Sequence, residues 1–413
     1  MPDAPPPLGS PSFGRFWAAA TLSSFGTAVT TVAMPVLVVT TLQASPFEVG
    51  VVNAAQFVPY AVLGLLAGVY ADRWRRQRIL VWSSVGQAVT LGAIPVLSAL
   101  DALEVWALVV LLLLFGSFSV FAFAATQSLL PRLVPRERLV VANARLDQTD
   151  AAAQTLGPAI GGGLVGLLGA PVAIAVDAVS YLVDAVLNAG LRVEEPPSDA
   201  SAPRHLGREI GEGLRWTYRH PTLAPLAAST HVWFLANAAG FTALTLVALR
   251  EMALSAFVFG LLVAVAGITG LIGASLAPAL GRRIGAGPAI IAARAPYPLA
   301  WLLVALAPTV PDPDTAGVAL LALALGVHGL AGGLENANDM GLWQLITPDG
   351  LLGRVNATRR SVNRSIAALG AVLGGTSVML LGGSATLVGV AVVFGLAFAV
   401  AALSPLRAVR QVD

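Results

Sequence analysis

The stretch GVYADRWRRQR, residues 68–78, carries four arginines and one aspartate between two long apolar runs. Each run holds roughly twenty almost uncharged residues, enough to cross a bilayer core of about 30 Å. A short turn between two spans lies on one side of the membrane, and clustered arginine places that turn in the cytoplasm. The segment therefore predicts a membrane protein whose remaining chain threads back and forth around it.

The composition of the whole chain agrees with this prediction. Of the 413 residues, 56% are hydrophobic and 11% are charged, whereas soluble domains carry about 25% charged residues. The absence of cysteine excludes disulfides, thiolate metal sites and a cysteine nucleophile. Four scattered histidines without an HExxH motif disfavour a zinc enzyme. We therefore expect neither an enzyme nor a bound cofactor or metal.

Twelve apolar segments are long enough to be spans. The first six lie near 15–40, 48–71, 79–100, 105–129, 150–169 and 171–191, and the last six near 222–249, 255–279, 288–308, 315–341, 361–381 and 384–405. The predicted fold is all-α and integral to the membrane, with two six-helix bundles at 1–191 and 222–413. Residues 192–221 form the linker, in which apolar residues at i, i+4 and i+8 predict an amphipathic interfacial helix: Leu206, Ile210 and Leu214.

The arginines fall in alternate loops of this threading. They are Arg15, the 73–78 cluster, Arg132, Arg136, Arg138, Arg145, those from 192 to 219, Arg282, Arg283, Arg294, those from 354 to 364, Arg407 and Arg410. Arg250 is the exception, because it lies in a loop on the opposite side of the predicted membrane. The alternation predicts that both termini are cytoplasmic and that the protein lies in the inner membrane. The Pro-rich N-terminal tail lacks the pattern of a signal peptide.

The two halves of the chain contain a sequence repeat. PRERLVVANARLDQTDAAAQTLGPAIGG from Pro135 aligns with PDGLLGRVNATRRSVNRSIAALGAVLGG from Pro348 at a constant offset of 213 residues. The coincident positions include Leu139/Leu352, Asn143/Asn356, Ala144/Ala357, Gly157/Gly370, Gly161/Gly374 and Gly162/Gly375. Two repeated six-span halves predict a pseudo-twofold axis along the membrane normal and a substrate site between the halves.

Two motifs resemble signatures of the major facilitator superfamily. Gly68, Asp72, Arg73 and Arg76 look like its loop 2–3 signature, and Gly157, Pro158, Gly161 and Gly162 resemble the fifth-helix signature of its antiporter branches. DRWRRQR followed by VPRERLVVANA is similar to the bacterial exporter group that includes macrolide and enterobactin exporters. The resemblance implies a gating role for these eight residues and a monomeric transporter. The alternatives are that Arg75, Arg76 and Arg78 only fix the topology and that the glycines only allow close helix packing. The chain departs from the loop signature at Arg75 and Gln77.

Four acids within predicted spans are candidates for proton coupling. Asp177 and Asp184 lie i, i+7 on the sixth span, and Glu335 and Asp339 lie i, i+4 on the tenth. Burying a carboxylate is costly, and acids in such positions are usually functional. Glu335 is the first choice because no arginine lies near it in the sequence. The competing interpretation pairs these acids with arginine or backbone as structural anchors.

Polar and aromatic residues within the spans are candidates for a substrate cavity. They are Thr27, Gln56, Gln154, His231, Trp233, Asn237 and Asn338. The same side chains are also suited to hydrogen bonds between helices, worth about 0.6 kcal/mol each.

The resemblance implies proton-coupled efflux of a bulky, partly apolar molecule, such as a drug, antibiotic or siderophore, by alternating access. The expected partners are this small molecule, protons and the lipid bilayer, without nucleic acid. One alternative keeps the fold but carries a lysophospholipid or imports a nutrient. Another is a membrane sensor or scaffold that transports nothing.

Overall fold

The computed structural model describes residues 11–64, 74–193 and 206–409, and within these ranges the regular structure is helical without strands. Twelve helical segments are long and apolar enough to cross a membrane, which confirms the predicted fold class. In chain order these spans are Pro11–Thr41, Pro46–Gly64, Arg76–Ala99, Val105–Leu133, Leu139–Leu168, Ala170–Ala189, Leu223–Glu251, Ala256–Ile284, Ala286–Thr309, Pro313–Ile346, Gly350–Leu381 and Gly383–Ala402.

The fifth and eleventh spans begin well before the predicted boundaries near 150 and 361. Their first turns are polar, as in LDQTD at 146–150 and NATRR at 356–360. A helix satisfies its backbone hydrogen bonds internally wherever it runs, so it continues past the apolar stretch that hydropathy detects. The repeat is visible here too, because both extensions fall at equivalent positions.

Several spans contain a local change of helix geometry. The first runs as an α-helix over Pro11–Val36 and ends in a π-helical turn at Leu37–Thr41, and the seventh repeats this with Leu223–Leu246 and Val247–Glu251. The second is helical over Pro46–Ala55 and again from 58 to 64. The ninth consists of Ala286–Arg294 and Tyr297–Leu306, separated at Pro296, which has no N–H to continue the ladder. The tenth begins with a π-helical turn, Pro313–Gly317, before Val318–Ile346.

Glycines with positive φ join consecutive spans in both halves. Gly169 connects the fifth and sixth spans at φ 83°, and Gly382 connects the eleventh and twelfth at φ 85°. Glycine adopts this left-handed conformation without the steric cost that a Cβ imposes. The two glycines are separated by the repeat offset of 213 residues, so the repeat extends beyond the aligned motif.

Contacts divide the chain into two compact units, Met1–Leu37 with Val58–Pro203, and Val38–Phe57 with Arg204–Asp413. In the first unit the first span packs on the fifth and sixth, and the third on the fourth and sixth. In the second unit the seventh span packs on the eleventh and twelfth, and the ninth on the tenth and twelfth. The two units thus repeat one packing scheme.

The first part of the second span belongs to the second unit by its contacts. Pro46–Ala55 packs on the eleventh span, and the Asn53 amide donates to the hydroxyl of Thr242 at 3.1 Å. The helix starts with a capping box in which Ser45 and Glu48 satisfy each other's backbone N–H groups. The sequence-based division at 192–221 does not coincide with this grouping and stays a prediction.

The linker contains the expected helix, Leu206–Arg219, which packs on the eleventh and seventh spans. Glu212 accepts from Arg354 of the eleventh span at 2.6 Å. Gly213 lies so close to the same span that a Cβ there would approach the Arg354 carbonyl oxygen to 3.0 Å. Trp216 adds an apolar contact with the buried cluster around Leu226, Ile290 and Leu342. The linker helix is therefore docked on the second unit.

Candidate functional site

Asp177 is the most deeply buried of the described acids of the first unit. Its carboxylate has no exposed surface and accepts from Thr30 of the first span at 2.5 Å and from Ser180 at 3.2 Å. The carboxylate packs directly over Gly26, where any side chain would displace it. Among the described residues no arginine pairs with Asp177. Within the described part of the chain, the hydrogen bonds to this acid therefore come from hydroxyl groups.

One turn away, Thr27 and Tyr181 join the same two spans. Their hydroxyls lie 2.8 Å apart, and the Tyr181 ring meets Phe115 edge-on at 5.7 Å. Thr27, predicted to line a cavity, thus bridges the first and sixth spans beside Asp177. This interface is polar at its centre, although both helices are mainly apolar.

Asp184 lies two turns further along the sixth span. It accepts from Ser84 of the third span and from the amide of Asn188 at 3.0 Å, and it is almost fully buried. The helix ends just beyond it, where Gln77 donates to the carbonyls of Asn188 and Leu191, both at 2.9 Å. Helix ends leave such carbonyls unsatisfied, so Gln77, a departure from the family signature, has a defined capping role.

Glu335 forms a buried ion pair in the second unit. Arg294 donates from Nη2 and Nε to Glu335 Oε1 at 2.8 and 3.0 Å, with 1% of the Arg294 side chain exposed. The guanidinium also donates to Ser229 and, at 2.8 Å, to Thr230 of the seventh span. The sequence interpretation of Arg294 as a loop arginine is wrong, since it lies inside the ninth span. No arginine lies near Glu335 in the sequence, but Arg294, 41 residues away, is its neighbour in space.

Asp339, one turn beyond Glu335, is paired as well. Arg359 of the eleventh span donates to it at 3.0 Å, and both side chains are largely buried. The same guanidinium lies 4.7 Å from the ring centroid of Trp343, close enough for a cation–π contact. The two acids of the tenth span therefore connect it to two different neighbours, in agreement with the anchoring interpretation.

An aromatic cluster lies next to the Glu335 pair. Its members, drawn from the seventh, ninth, tenth and twelfth spans, are Trp233, Phe241, Tyr297, Trp301, His328 and Phe394. Trp301 Nε1 donates to His328 Nδ1 at 3.2 Å, which leaves the ring proton of a neutral imidazole on Nε2. Trp233, expected in a substrate cavity, packs within this cluster, and its role in a cavity stays a prediction. Sequence analysis missed Trp301 and Tyr297, whose only signal was an aromatic pair following Pro296.

Each of the remaining cavity candidates is described by its own contacts within its unit. His231 contacts the Tyr218 hydroxyl of the linker helix at 2.6 Å and the Asn363 side chain at 2.8 Å. Asn338 donates to the carbonyl of Ala277 at 3.2 Å, and Gln154 donates to Asp150 on its own helix at 2.6 Å. Gln56 is exposed at the break in the second span, and Asn237 is half-buried. Their shared role in a cavity stays a prediction.

The glycines of the fifth span are sites of close helix approach. A Cβ at Gly157 would overlap Ala28 of the first span, and one at Gly161 would lie 2.9 Å from the Cα of Val29. Gly370 and Gly374 meet the seventh span at Leu235 and Ala239 in the same way. Pro158 and Gly162 are buried beside them. Small residues at this spacing let two backbones touch, and any added gating role stays a prediction.

Three of the gating candidates, Gly68, Asp72 and Arg73, lie outside the described residues. Arg76 is described and begins the third span, where it is half-buried. Within the part of the chain that the structure describes, no cluster of three metal-binding side chains is present.

A chain of twelve apolar helices, packed by one scheme used twice, has the architecture of a major facilitator transporter. Its structure is similar to that of the nucleoside transporter NupG, with a TM-score of 0.75, 14% identity, and 94% of this chain and 98% of that chain covered. It is also similar to a bacterial homologue of the human lysosomal transporter Spinster, with a TM-score of 0.73, 15% identity and coverage of 96% and 97%. At these identities the likeness shows the fold.

The family of transmembrane secretion effectors has a model that matches residues 4–413, and the chain belongs to this family. The MFS-type transporter y4rN of Sinorhizobium fredii, which is uncharacterized, is 29% identical over 338 residues, 80% of each chain. The multidrug efflux pump Tap of Mycolicibacterium fortuitum is 29% identical over 216 residues, 51% of this chain and 53% of Tap. The aligned part thus spans about half of the length of Tap. The protein is a multi-pass membrane transporter, not an enzyme, as the sequence predicted.

Proposed function

We propose that this transporter exports a partly apolar small molecule in exchange for protons, and that Asp177 carries the coupling proton. The observation that carries the proposal is the environment of Asp177, which is fully buried with hydroxyl donors and no paired cation among the described residues. An ionised carboxylate in such a place costs several kcal/mol. Asp177 therefore stays protonated while the first and sixth spans enclose it, and it releases the proton when they part.

Glu335, the first choice from sequence, fits this role less well. Its negative charge is paired with the Arg294 guanidinium at 2.8 Å, whereas Asp177 has no such partner among the described residues. A coupling acid must differ in proton affinity between two states of the transporter. A group held by a fixed guanidinium changes less than one whose only protection is enclosure. We assign Glu335 and Asp339 to anchoring the tenth span.

The direction and the cargo are supported by the relatives. The matching family is described as transmembrane secretion effector, and Tap is a multidrug efflux pump. We infer that the arginine-rich ends of the spans are cytoplasmic and that the protein works as a monomer in the inner membrane. Efflux of a bulky, partly apolar compound agrees with both names.

The test is transport by the purified protein in vesicles that hold an imposed pH gradient. A panel of apolar drugs, antibiotics and siderophores is followed for wild type, Asp177→Asn and Asp101→Asn. Asp101 supplies the matched control because it is an exposed loop residue at φ 51°, a conformation that asparagine tolerates. Exchange of labelled for unlabelled cargo without a gradient is measured in parallel, because it needs no net proton movement.

We expect Asp177→Asn to lose gradient-driven transport and to keep cargo exchange, while Asp101→Asn keeps both. Gradient-driven transport that survives in Asp177→Asn would remove Asp177 from the coupling role. Uptake that depends on a gradient of opposite sign, or exchange confined to lysophospholipid, would instead support the importer or lipid alternative. Ligand binding without exchange would indicate a sensor.

A further inference from the structure

We propose that a groove between the third and fourth spans binds the phosphate headgroup of an anionic phospholipid. The groove encloses about 540 Å³, and its lining consists of Trp74, Arg75, Arg78, Ile79, Trp82, Ser83, Phe118 and Phe121. We call it the headgroup groove. It lies at the arginine-rich end of the third span, and among the described residues none of its lining side chains has a hydrogen bond to Asp177 or Asp184. The inference is therefore independent of the coupling mechanism.

The polar part of the groove is suited to an anion. Arg75 and Arg78 are both exposed, and both line the groove. Among the described residues, neither arginine pairs with an acid and no acid lines the groove. Arg75 immediately precedes the first helical residue, Arg76, where the aligned peptide dipoles add positive potential. Gln77 points the other way, toward the end of the sixth span.

The apolar part of the groove is suited to the rest of a lipid. Trp74 and Trp82 are 63% and 70% exposed, and indoles are enriched where headgroups meet acyl chains. Phe118, whose ring lies over Gly86 of the third span, continues the wall with Phe121. Basic pockets between spans recognise anionic lipid headgroups. A free phosphate would contact the two arginines only, whereas a phospholipid would also cover the aromatic wall.

The experiment measures which lipid lies against the groove in vesicles that contain the full chain. Lipids with brominated acyl chains quench the fluorescence of nearby tryptophan. Vesicles of brominated phosphatidylglycerol with unlabelled phosphatidylcholine are therefore compared with vesicles of unlabelled phosphatidylglycerol with brominated phosphatidylcholine. Trp74→Phe/Trp82→Phe identifies the part of the signal that these two of the eight tryptophans supply. The test variant is Arg75→Gln/Arg78→Gln. The matched control is Arg282→Gln/Arg283→Gln, which removes two exposed arginines at the end of the eighth span.

We expect wild type to prefer phosphatidylglycerol and the test variant to lose about fivefold of that preference per arginine, about 25-fold in all. The control should keep the preference at Trp74 and Trp82. Equal quenching by both lipids in wild type, or an undiminished preference in Arg75→Gln/Arg78→Gln, would overturn the proposal. Inorganic phosphate that abolishes the preference would show a free-anion site instead.

Discussion

Replacing Glu335 by glutamine leaves the Arg294 guanidinium charged in a position where it is almost wholly buried. The wild-type carboxylate accepts two hydrogen bonds from it, at 2.8 and 3.0 Å. Arginine keeps its proton in proteins, so the variant protein has no means of neutralising the charge. Ser229 and Thr230 still accept from the guanidinium, but hydroxyl dipoles do not replace a full negative charge.

The expected loss in the free energy of unfolding is large for Glu335→Gln and smaller for Arg294→Gln. Removing one partner of a buried pair costs about 3–5 kcal/mol, and the two remaining hydroxyl contacts put Glu335→Gln near the lower end, about 3 kcal/mol. Arg294→Gln leaves a carboxylate, which can take up a proton and become neutral. Its cost is then that of lost hydrogen bonds, about 1–3 kcal/mol. The double variant places two amides face to face and should lose less than the sum of the single variants.

The assay is reversible unfolding of the purified protein in mixed micelles as the fraction of denaturing detergent rises. Tryptophan emission reports the transition, since Trp233 and Trp301 lie in the aromatic cluster beside the pair. Wild type, the two single variants and the double variant form a double-mutant cycle. We expect it to give a coupling energy of about 2 kcal/mol between Glu335 and Arg294, within the range seen for residues in contact. Gradient-driven transport is measured on the same preparations.

Equal losses for Glu335→Gln and Arg294→Gln, with simple additivity in the double variant, would refute the argument from charge. Such a result would mean that packing, and not charge pairing, stabilises the two side chains, or that water reaches them and screens the charges. Gradient-driven transport that disappears in the double variant while stability is largely restored would return Glu335 to the coupling role. Transport that survives there would support its assignment as an anchor.

Three further outcomes follow from the structure. Gly161→Leu should abolish transport and destabilise the first unit by several kcal/mol because the first span blocks its Cβ, whereas Gly166→Leu, with open space around it, should be harmless in the same thermal-stability and transport assays. His220 Nδ1 accepts from the N–H groups of Thr222 and Leu223 at 3.2 and 3.3 Å, and partial burial lowers the pKa of His220. The cap is therefore complete above about pH 6.5 and is lost as pH falls toward the lower folded-state pKa. Unfolding titrations should show a weak pH dependence of this sign, well under about 1 kcal/mol because the ring is only partly buried, and His220→Asn should lack it. Trp301→Phe should cost about 1–3 kcal/mol by leaving the buried His328 nitrogen unpaired, whereas Trp106→Phe, at an exposed site, should change detergent unfolding little.

The fold was predictable because its determinants are local. Span length and apolar composition lie within single segments, and the repeat is carried by glycines such as Gly157 and Gly370 whose spacing is visible in one sequence. Each of these glycines packs closely against a neighbouring helix. The glycine spacing therefore identifies one of the two helices in each contact directly from the sequence. The polar first turns of the fifth and eleventh spans were not predicted, because hydropathy identifies the apolar residues that can lie in the bilayer core and not the full length of the helix.

The partners of the buried charges were not predictable in the same way. Arg294 fits the alternation of loop arginines, although it lies inside the apolar segment 288–308, which the sequence predicts to be a span. An arginine at such a position requires an acid, and that signal could have led to Glu335, 41 residues away. Thr30 is 147 residues from Asp177, and nothing in its local pattern distinguishes it from Thr31. Such pairings arise only when the helices pack.

The repeat itself gives a reason to treat the acids of the sixth span as functional. At the offset that relates Gly169 to Gly382, the positions of Asp177 and Asp184 correspond to Val390 and Ala397 of the twelfth span, and both are buried. The second unit therefore closes the equivalent interface with apolar side chains, which pack without the desolvation cost of a carboxylate. Hydrogen bonds between helices are too weak to justify that cost for stability alone. The close-packing glycines occur in both halves, as the shared packing scheme requires. An acid enclosed by hydroxyls occurs in the sixth span and not at the equivalent position of the twelfth, so the shared scheme does not require it.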